Sequence, residues 1–301
     1  MHQLNVTPLA AKAMLVKLTT RRVTLNARDK MAEEYLQNEL GDTAFVVNKK
    51  LFRDPGNPIN KIMSVSSEVY TYHRAHTLAY MDKGPRILPN TQYMDYTTGM
   101  RERINKVDSM MAVHMPQYYT YVNLDIQQRT QADMGKTKPV NYVAPNVGEY
   151  PTREQFERGL GFDLRFMPLP EEKHFLYDIS DSDRDSFNTL MSEIERNATV
   201  ETIRKMLTPL EHLVEKLNKP IGTEGATFRE ASVENIIEGI EIARKLNISE
   251  DPEIARLASE LSATMSNYIG SNVLRESPIV RQQAAQKLDY IARQMGALYG
   301  A

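Results

Sequence analysis

From Pro58 to about Tyr80, apolar residues recur at Ile62, Val65, Val69, Tyr72, His76 and Ala79, the three-four spacing of one helical face. The preceding DPGNP, residues 54–58, is turn chemistry that puts Pro58 at a helix start, where its missing N–H would be an orphan in any case. A second stripe of Tyr93, Tyr96, Met100, Ile104, Val107 and Met111 predicts another long helix, with Asn90 as its cap. Pro116 lacks a donor and clashes with the turn before it, so a kink or restart is expected before QYYTYVNLDIQQ continues as helix. DKGPRILPN between the stripes reads as a turn, which makes the two helices a hairpin with tyrosines on both arms.

On the N-terminal side, KLTTRRVTL (17–25) alternates and is rich in Thr, Val and Leu, as a half-buried strand requires. NARDKMAEEYLQNELG predicts a helix capped by Asn26 and stopped by Gly41, while FVVNKKLF fits strand or helix. Residues 135–152 carry Gly and Pro without a helical period and form an extended connection. GFDLRFMPLP and HFLYDI then read as short strands that complete a small sheet with residues 17–25. The remainder is helical, at about 183–218, 229–246, 251–268 and 278–298. The fold class is α+β with helix dominant: a long helical hairpin and C-terminal helices beside a small antiparallel sheet. Three parts follow, 1–134, 135–182 and 183–301, expected within one compact domain.

At 301 residues and 41% hydrophobic content the chain can bury a real core without staples. It has no cysteine, which removes thiol catalysis, disulfides and cysteine-ligated metal. No apolar run approaches the roughly 18 residues a membrane span needs, and Lys12 and Lys17 interrupt LAAKAMLVKL, so neither export nor a membrane is expected. The net charge of -2 hides a segregation. Residues 1–110 hold 16 Lys and Arg against 11 Asp and Glu, whereas residues 150–260 hold 14 against 23. A basic part can face a polyanion, or the two parts can neutralise each other internally.

DISDSDRDS alternates Asp181, Asp183 and Asp185 as a calcium loop does, but Ser186 and Ser192 stand where that loop needs glycine and a bidentate glutamate. Ser180 to Asp183 serve better as the cap of a helix. A metal-assisted nuclease on this run is the weakest reading. His73 and His76 lie three apart beside Glu68, without the zincin spacing or a third ligand, so packing and hydrogen bonding are expected of them. There is no Walker loop, since GTEGATFRE lacks the lysine-serine ending, no G-x-G-x-x-G after a strand and no G-x-S-x-G elbow. The expectation is a protein without catalysis and without a cofactor.

What remains is the basic, aromatic first third. Lys17, Arg21, Arg22, Arg28, Lys49, Lys50, Arg53, Arg74 and Arg86 are interleaved with tyrosines. Single strands are bound by cations along the phosphates and aromatic faces under the bases. Tyr70 and Arg74, four apart and off the apolar stripe, are the pair placed to stack with each other or beneath a base. The same tyrosines at helical spacing also fit a core.

The block YTYHRAHTLAYMDKGPRILPNTQYMDYTTGMRERI, followed by YPTREQFERGLGFDLRFMPLP, FLYDI and FREASVENI, resembles a bacteriophage family of domains of unknown function, over residues 12 to 250. In overall character and size the chain also resembles the Drc-like single-stranded-DNA-binding RNA polymerase cofactors of podoviruses that carry a giant virion RNA polymerase. That resemblance implies a fold other than the OB-fold, single-stranded DNA and a phage RNA polymerase as partners, and the cytoplasm of the infected host cell as location. It carries over no individual residue, so the candidate contacts come from charge and aromatic clustering alone. The alternative is a helical adaptor, for example of an AAA+ ATPase with a von Willebrand-type partner, that does not bind nucleic acid. The C-terminal stripe of Ile279, Ala284, Leu288, Ile291 and Met295 needs a surface to cover it, in its own chain or in another copy, so a second copy of the chain is a further candidate partner.

Overall fold

The computed structural model describes residues 9–41, 43–81, 83–135, 143–171, 180–224, 230–268 and 273–299. One helical turn, α1 (Leu9–Lys12), leads into β1 (Ala13–Arg21), then β2 (Asn26–Arg28), α2 (Lys30–Leu40), β3 (Asn48–Lys50) and α3 (Pro58–Ala75). Next come β4 (Leu78–Ala79), β5 (Arg86–Pro89), α4 (Tyr93–His114), α5 (Tyr118–Ala132), α6 (Arg153–Gly159) and β6 (Gly161–Pro168). The helices α7 (Asp181–Asn218), α8 (Glu230–Lys245), α9 (Pro252–Ser266), α10 (Val273–Glu276) and α11 (Pro278–Tyr299) follow. The class is helix-dominant α+β, as the sequence predicts, with an antiparallel sheet ordered β4-β5-β1-β6 and a separate β2-β3 ribbon. Neither sheet is the five-stranded barrel of an OB-fold.

Several local signals act as expected. Asn57 accepts from Ile59 N at 2.9 Å at the start of α3, and Gly41 closes α2 in the left-handed conformation. A 3-10 turn over Met115–Gln117 separates α4 from α5 at Pro116. Ser180 caps α7 by accepting from Asp183 N at 3.2 Å. Other signals are overridden. Asp29, not Asn26, caps α2, because Asn26–Arg28 pairs with Asn48–Lys50 as a ribbon. The expected turn DKGPRILPN is the second arm of a β-hairpin, with Leu78 opposite Ile87 and Ala79 opposite Arg86, and α3 therefore ends at Ala75. The helix α6 lies in a stretch with no predicted element, and a full capping box between Thr152 and Gln155 starts it. The predicted strand HFLYDI lies outside the described residues.

The chain divides into two compact units, each discontinuous in sequence. Unit 1 takes the segments up to Lys17, His73–Thr97 and from Leu164 onward, and unit 2 takes Leu18–Tyr72 and Thr98–Asp163. These boundaries cut across β1, α3, α4 and β6, where composition shows no change.

In unit 1 the helices α7, α8, α9 and α11 share one core that includes Leu210, Ile240, Leu261 and Leu288. Each such side chain contributes roughly 2 kcal/mol by leaving water. The C-terminal stripe finds its cover here, since Ala284, Leu288, Ile291 and Met295 pack into this cluster, while Ile279 stays 70% exposed. Arg281 is buried and donates to the carbonyls of Lys216 and Leu217, so it satisfies the last turn of α7.

Unit 2 buries Ile59, Ile62, Val65 and Val69 of α3 with Val107, Tyr118, Val122 and Phe156. Phe52 is fully buried there at φ 51, with ring centroids 5.1 Å from Tyr150 and 6.1 Å from Tyr118. A left-handed phenylalanine is costly and needs a brace. Buried Asp125 supplies it by accepting from Phe52 N at 3.0 Å, Arg53 N at 2.9 Å and the Tyr150 hydroxyl at 2.5 Å.

Candidate nucleic-acid interface

The ten residues selected from the sequence do not all share one unit. Arg21, Arg22, Arg28, Lys49, Lys50, Arg53 and Tyr70 belong to unit 2, and Lys17, Arg74 and Arg86 to unit 1. The sequence segregation of charge weakens accordingly. Unit 2 contains 16 Lys and Arg against 15 Asp and Glu, and unit 1 contains 21 against 24.

In unit 2 the end of β1 presents Arg21 and Arg22 to solvent. It is seated against the turn from α6 into β6, where two glycines allow close approach. A Cβ at Gly159 would stand 2.7 Å from Val23 Cγ2, and one at Gly161 would meet the Arg21 guanidinium. The Arg22 guanidinium lies 5.6 Å from the ring centroid of Tyr70, which is 40% exposed on α3. Tyr70 therefore has Arg22 as a stacking partner within this unit, a residue that the four-residue spacing on the helix does not point to.

Tyr72 is neither on the buried stripe nor on the surface. Arg103 of α4 covers its ring at 3.8 Å and donates to Gly99 O at 3.0 Å, and the Tyr72 hydroxyl occupies the space a Cβ at Gly99 would need. Nothing in the sequence marks Arg103 as the partner. The buried positions of α3 are Ile59, Ile62, Val65, Ser66, Val69 and His73, so the predicted stripe holds at Ile62, Val65 and Val69 and departs only in the last turn, where His73 is buried in place of Tyr72.

The ribbon sorts its cations by the two-residue alternation of strands. Arg28 and Lys50 are exposed, while Lys49 turns inward and meets Glu149 at 2.9 Å. Arg28 grips the buried Glu33 with its Nε at 2.7 and 2.9 Å, and Glu33 also accepts from Val47 N at 2.9 Å. Both side chains are structural. Among the described residues Arg21, Arg22, Lys50 and Arg53 have no carboxylate partner, so these four remain for a polyanion.

Arg86 in unit 1 is removed from the candidate surface. Its Nη2 meets Glu201 at 2.6 Å and Thr77 O at 2.9 Å, and its Nε donates to Thr77 Oγ1 at 2.7 Å. Glu201 also accepts from Ala79 N, so one carboxylate fastens the β4-β5 hairpin to α7. Lys205 lies 3.6 Å from Glu201 and donates to Arg74 O at 2.7 Å, and burial pushes its pKa down. Next to this group His73 is only 3% exposed, with Nδ1 2.6 Å from the Tyr96 hydroxyl. Burial, followed by the charges of Arg86, Arg74 and Lys205, lowers its pKa to about 4, so it is neutral at pH 7. Packing and hydrogen bonding explain His73, as expected. Lys17 and Arg74 are exposed in unit 1.

The acidic run at α7 is a helix start, with Asp181 3.4 Å from Arg184, and no group of three metal-ligating side chains occurs among the described residues. No described helix is long and apolar enough to cross a membrane. Comparison of the chain with family models, with curated proteins and with solved structures finds no match. The functional reading rests on side-chain geometry and on the sequence resemblance.

Proposed function

We propose that this protein binds single-stranded DNA through unit 2, as a non-enzymatic cofactor of a phage RNA polymerase in the infected cell. The observation that carries the DNA reading is the exposed Tyr70 ring under the Arg22 guanidinium, next to Arg21, the last residue of β1. A base has an aromatic face and a cation to stack on there, and its phosphates have Arg21, Lys50 and Arg53 as further contacts. The polymerase partner comes from the sequence resemblance alone.

The test is a mobility-shift titration of single-stranded and duplex DNA at several salt concentrations. Single strands should bind more tightly, and affinity should fall steeply with salt. Replacing Arg21 and Arg22 with alanine should weaken binding to all sequences alike and lower the salt slope by about 1 to 2. Unchanged binding by this variant, with its circular dichroism intact, removes the two arginines from the site.

A second reading, the helical adaptor, is favoured by one feature. Tyr35, Leu40 and Val46 are exposed on α2 and the loop after it, and Gln37 holds that loop by donating to Thr43 O and Phe45 O. Fixed apolar side chains of this kind suit a protein partner. Absence of any DNA shift at low salt would leave this reading in place of the first.

A further inference from the structure

We infer that Gly161 is a positioning residue for Arg21, its bare backbone being the bed on which the guanidinium lies, so that Arg21 is held ready as a phosphate contact. The inference rests on the single-stranded-DNA reading above. Arg21 is the last residue of β1 and Gly161 the first of β6, both in unit 2. A Cβ at position 161 would lie 3.0 Å from Arg21 Nε and 3.1 Å from Cζ, with Nη2 nearer still. Only glycine permits that approach. Backbone conformation gives no other reason for it, because Gly161 is not among the residues with positive φ.

An arginine in open solvent gives up much rotamer freedom when it grips a phosphate. One already seated close against a backbone segment gives up less, and binds more tightly for that reason. The neighbouring Gly159 meets Val23 instead, so the two glycines have separate tasks: one seats the strand and the other seats the guanidinium.

The test is a double-substitution cycle read by fluorescence anisotropy with a labelled oligothymidine at several salt concentrations. G161A adds a methyl group that the flexible end of Arg21 can escape, so melting temperature and circular dichroism should be preserved. Its affinity should fall about threefold to tenfold and its salt slope by about 0.7, the share of one phosphate on a single strand. R21A should do the same, and R21A/G161A should be no weaker than R21A.

Wild-type binding by G161A, or a further loss in the double variant, would overturn the inference. An unfolded G161A would overturn it too, since some neighbour other than Arg21 would then be resisting the methyl group. The DNA reading has its own control in R22A and Y70A. If those variants weaken binding while G161A does not, only the inference fails, and if R21A, R22A and Y70A all bind like the wild type, the DNA reading itself fails.

Discussion

Arg22 and Arg86 come from the same basic third of the sequence and end in opposite situations. Arg86 is folded inside unit 1 with three hydrogen bonds, one of them to a carboxylate, whereas Arg22 lies over an exposed tyrosine of unit 2. A cation of the first kind holds two elements together and has nothing left for a ligand. One of the second kind contributes little to folding and keeps its donors for a partner. Charge counted along a chain does not separate the two kinds; what separates them is whether the fold delivers a carboxylate, and Glu201 arrives 115 residues after Arg86.

The largest expected effect follows from that contrast. Arg86→Ala leaves the half-buried Glu201 only Lys205 at 3.6 Å and the Ala79 N–H, frees the Thr77 acceptors, and should cost about 3 kcal/mol in urea unfolding. Arg22→Ala should cost under about 0.5 kcal/mol. Equal losses would erase the distinction between the two regions.

The burial of His73 in unit 1, reinforced by the cations around it, should also show itself as a pH dependence of stability. Its folded pKa is about 4 and its unfolded value 6.5, so between those values the unfolded chain binds a proton that the folded chain does not. Stability should therefore fall as pH drops from 6.5 to 4, by up to about 3 kcal/mol, and level off below that. Urea unfolding across this range checks it, and His73→Gln should flatten the slope.

The two tyrosines of α3 give the next step down. Tyr72→Ala removes a half-buried ring under Arg103 and should destabilise unit 2 by about 2 kcal/mol. Tyr70→Ala should leave the melting temperature nearly unchanged and instead remove about 1 to 3 kcal/mol of DNA binding, the worth of a stacked base. The reverse pattern would mean that Tyr72 carries the stacking. The smallest effect is expected at the ribbon, where Lys50→Ala should change stability by under about 0.5 kcal/mol and reduce the salt slope by about 0.7.

Elements with a long period and chemical punctuation were legible. α3, α4, the restart at Pro116 and the helices from Asp181 onward stand close to where apolar spacing, Pro58, Gly41 and Ser180 put them. The β4-β5 hairpin was not legible, because strands of two and four residues carry no period and Gly84 and Pro85 read as turn. The helix α6 was legible in principle, through Thr152 and Gln155, but seven residues give too short a stripe to draw notice. Of the site, the residue types could be picked out and their company could not. Spacing along the helix offers Arg74 to Tyr70, and no spacing could offer Arg22, which the fold brings over the ring from just past β1, 48 residues earlier. Lys49 and Arg28 look like free cations until Glu149 and Glu33 are placed beside them.

The left-handed Phe52 has a consequence for the order in which unit 2 is built. Its brace, Asp125, is 73 residues further along the chain. At a synthesis rate of roughly 5 to 20 residues per second, Phe52 leaves the ribosome several seconds before the carboxylate that holds it exists. Until then the only nearby hold on that residue is Asn60, which donates to Phe52 O, and the corner is fully braced only when α5 docks. Such a contact belongs to the late side of the folding barrier. Weakening it, as in Asp125→Asn, should hasten unfolding while leaving the folding rate almost untouched.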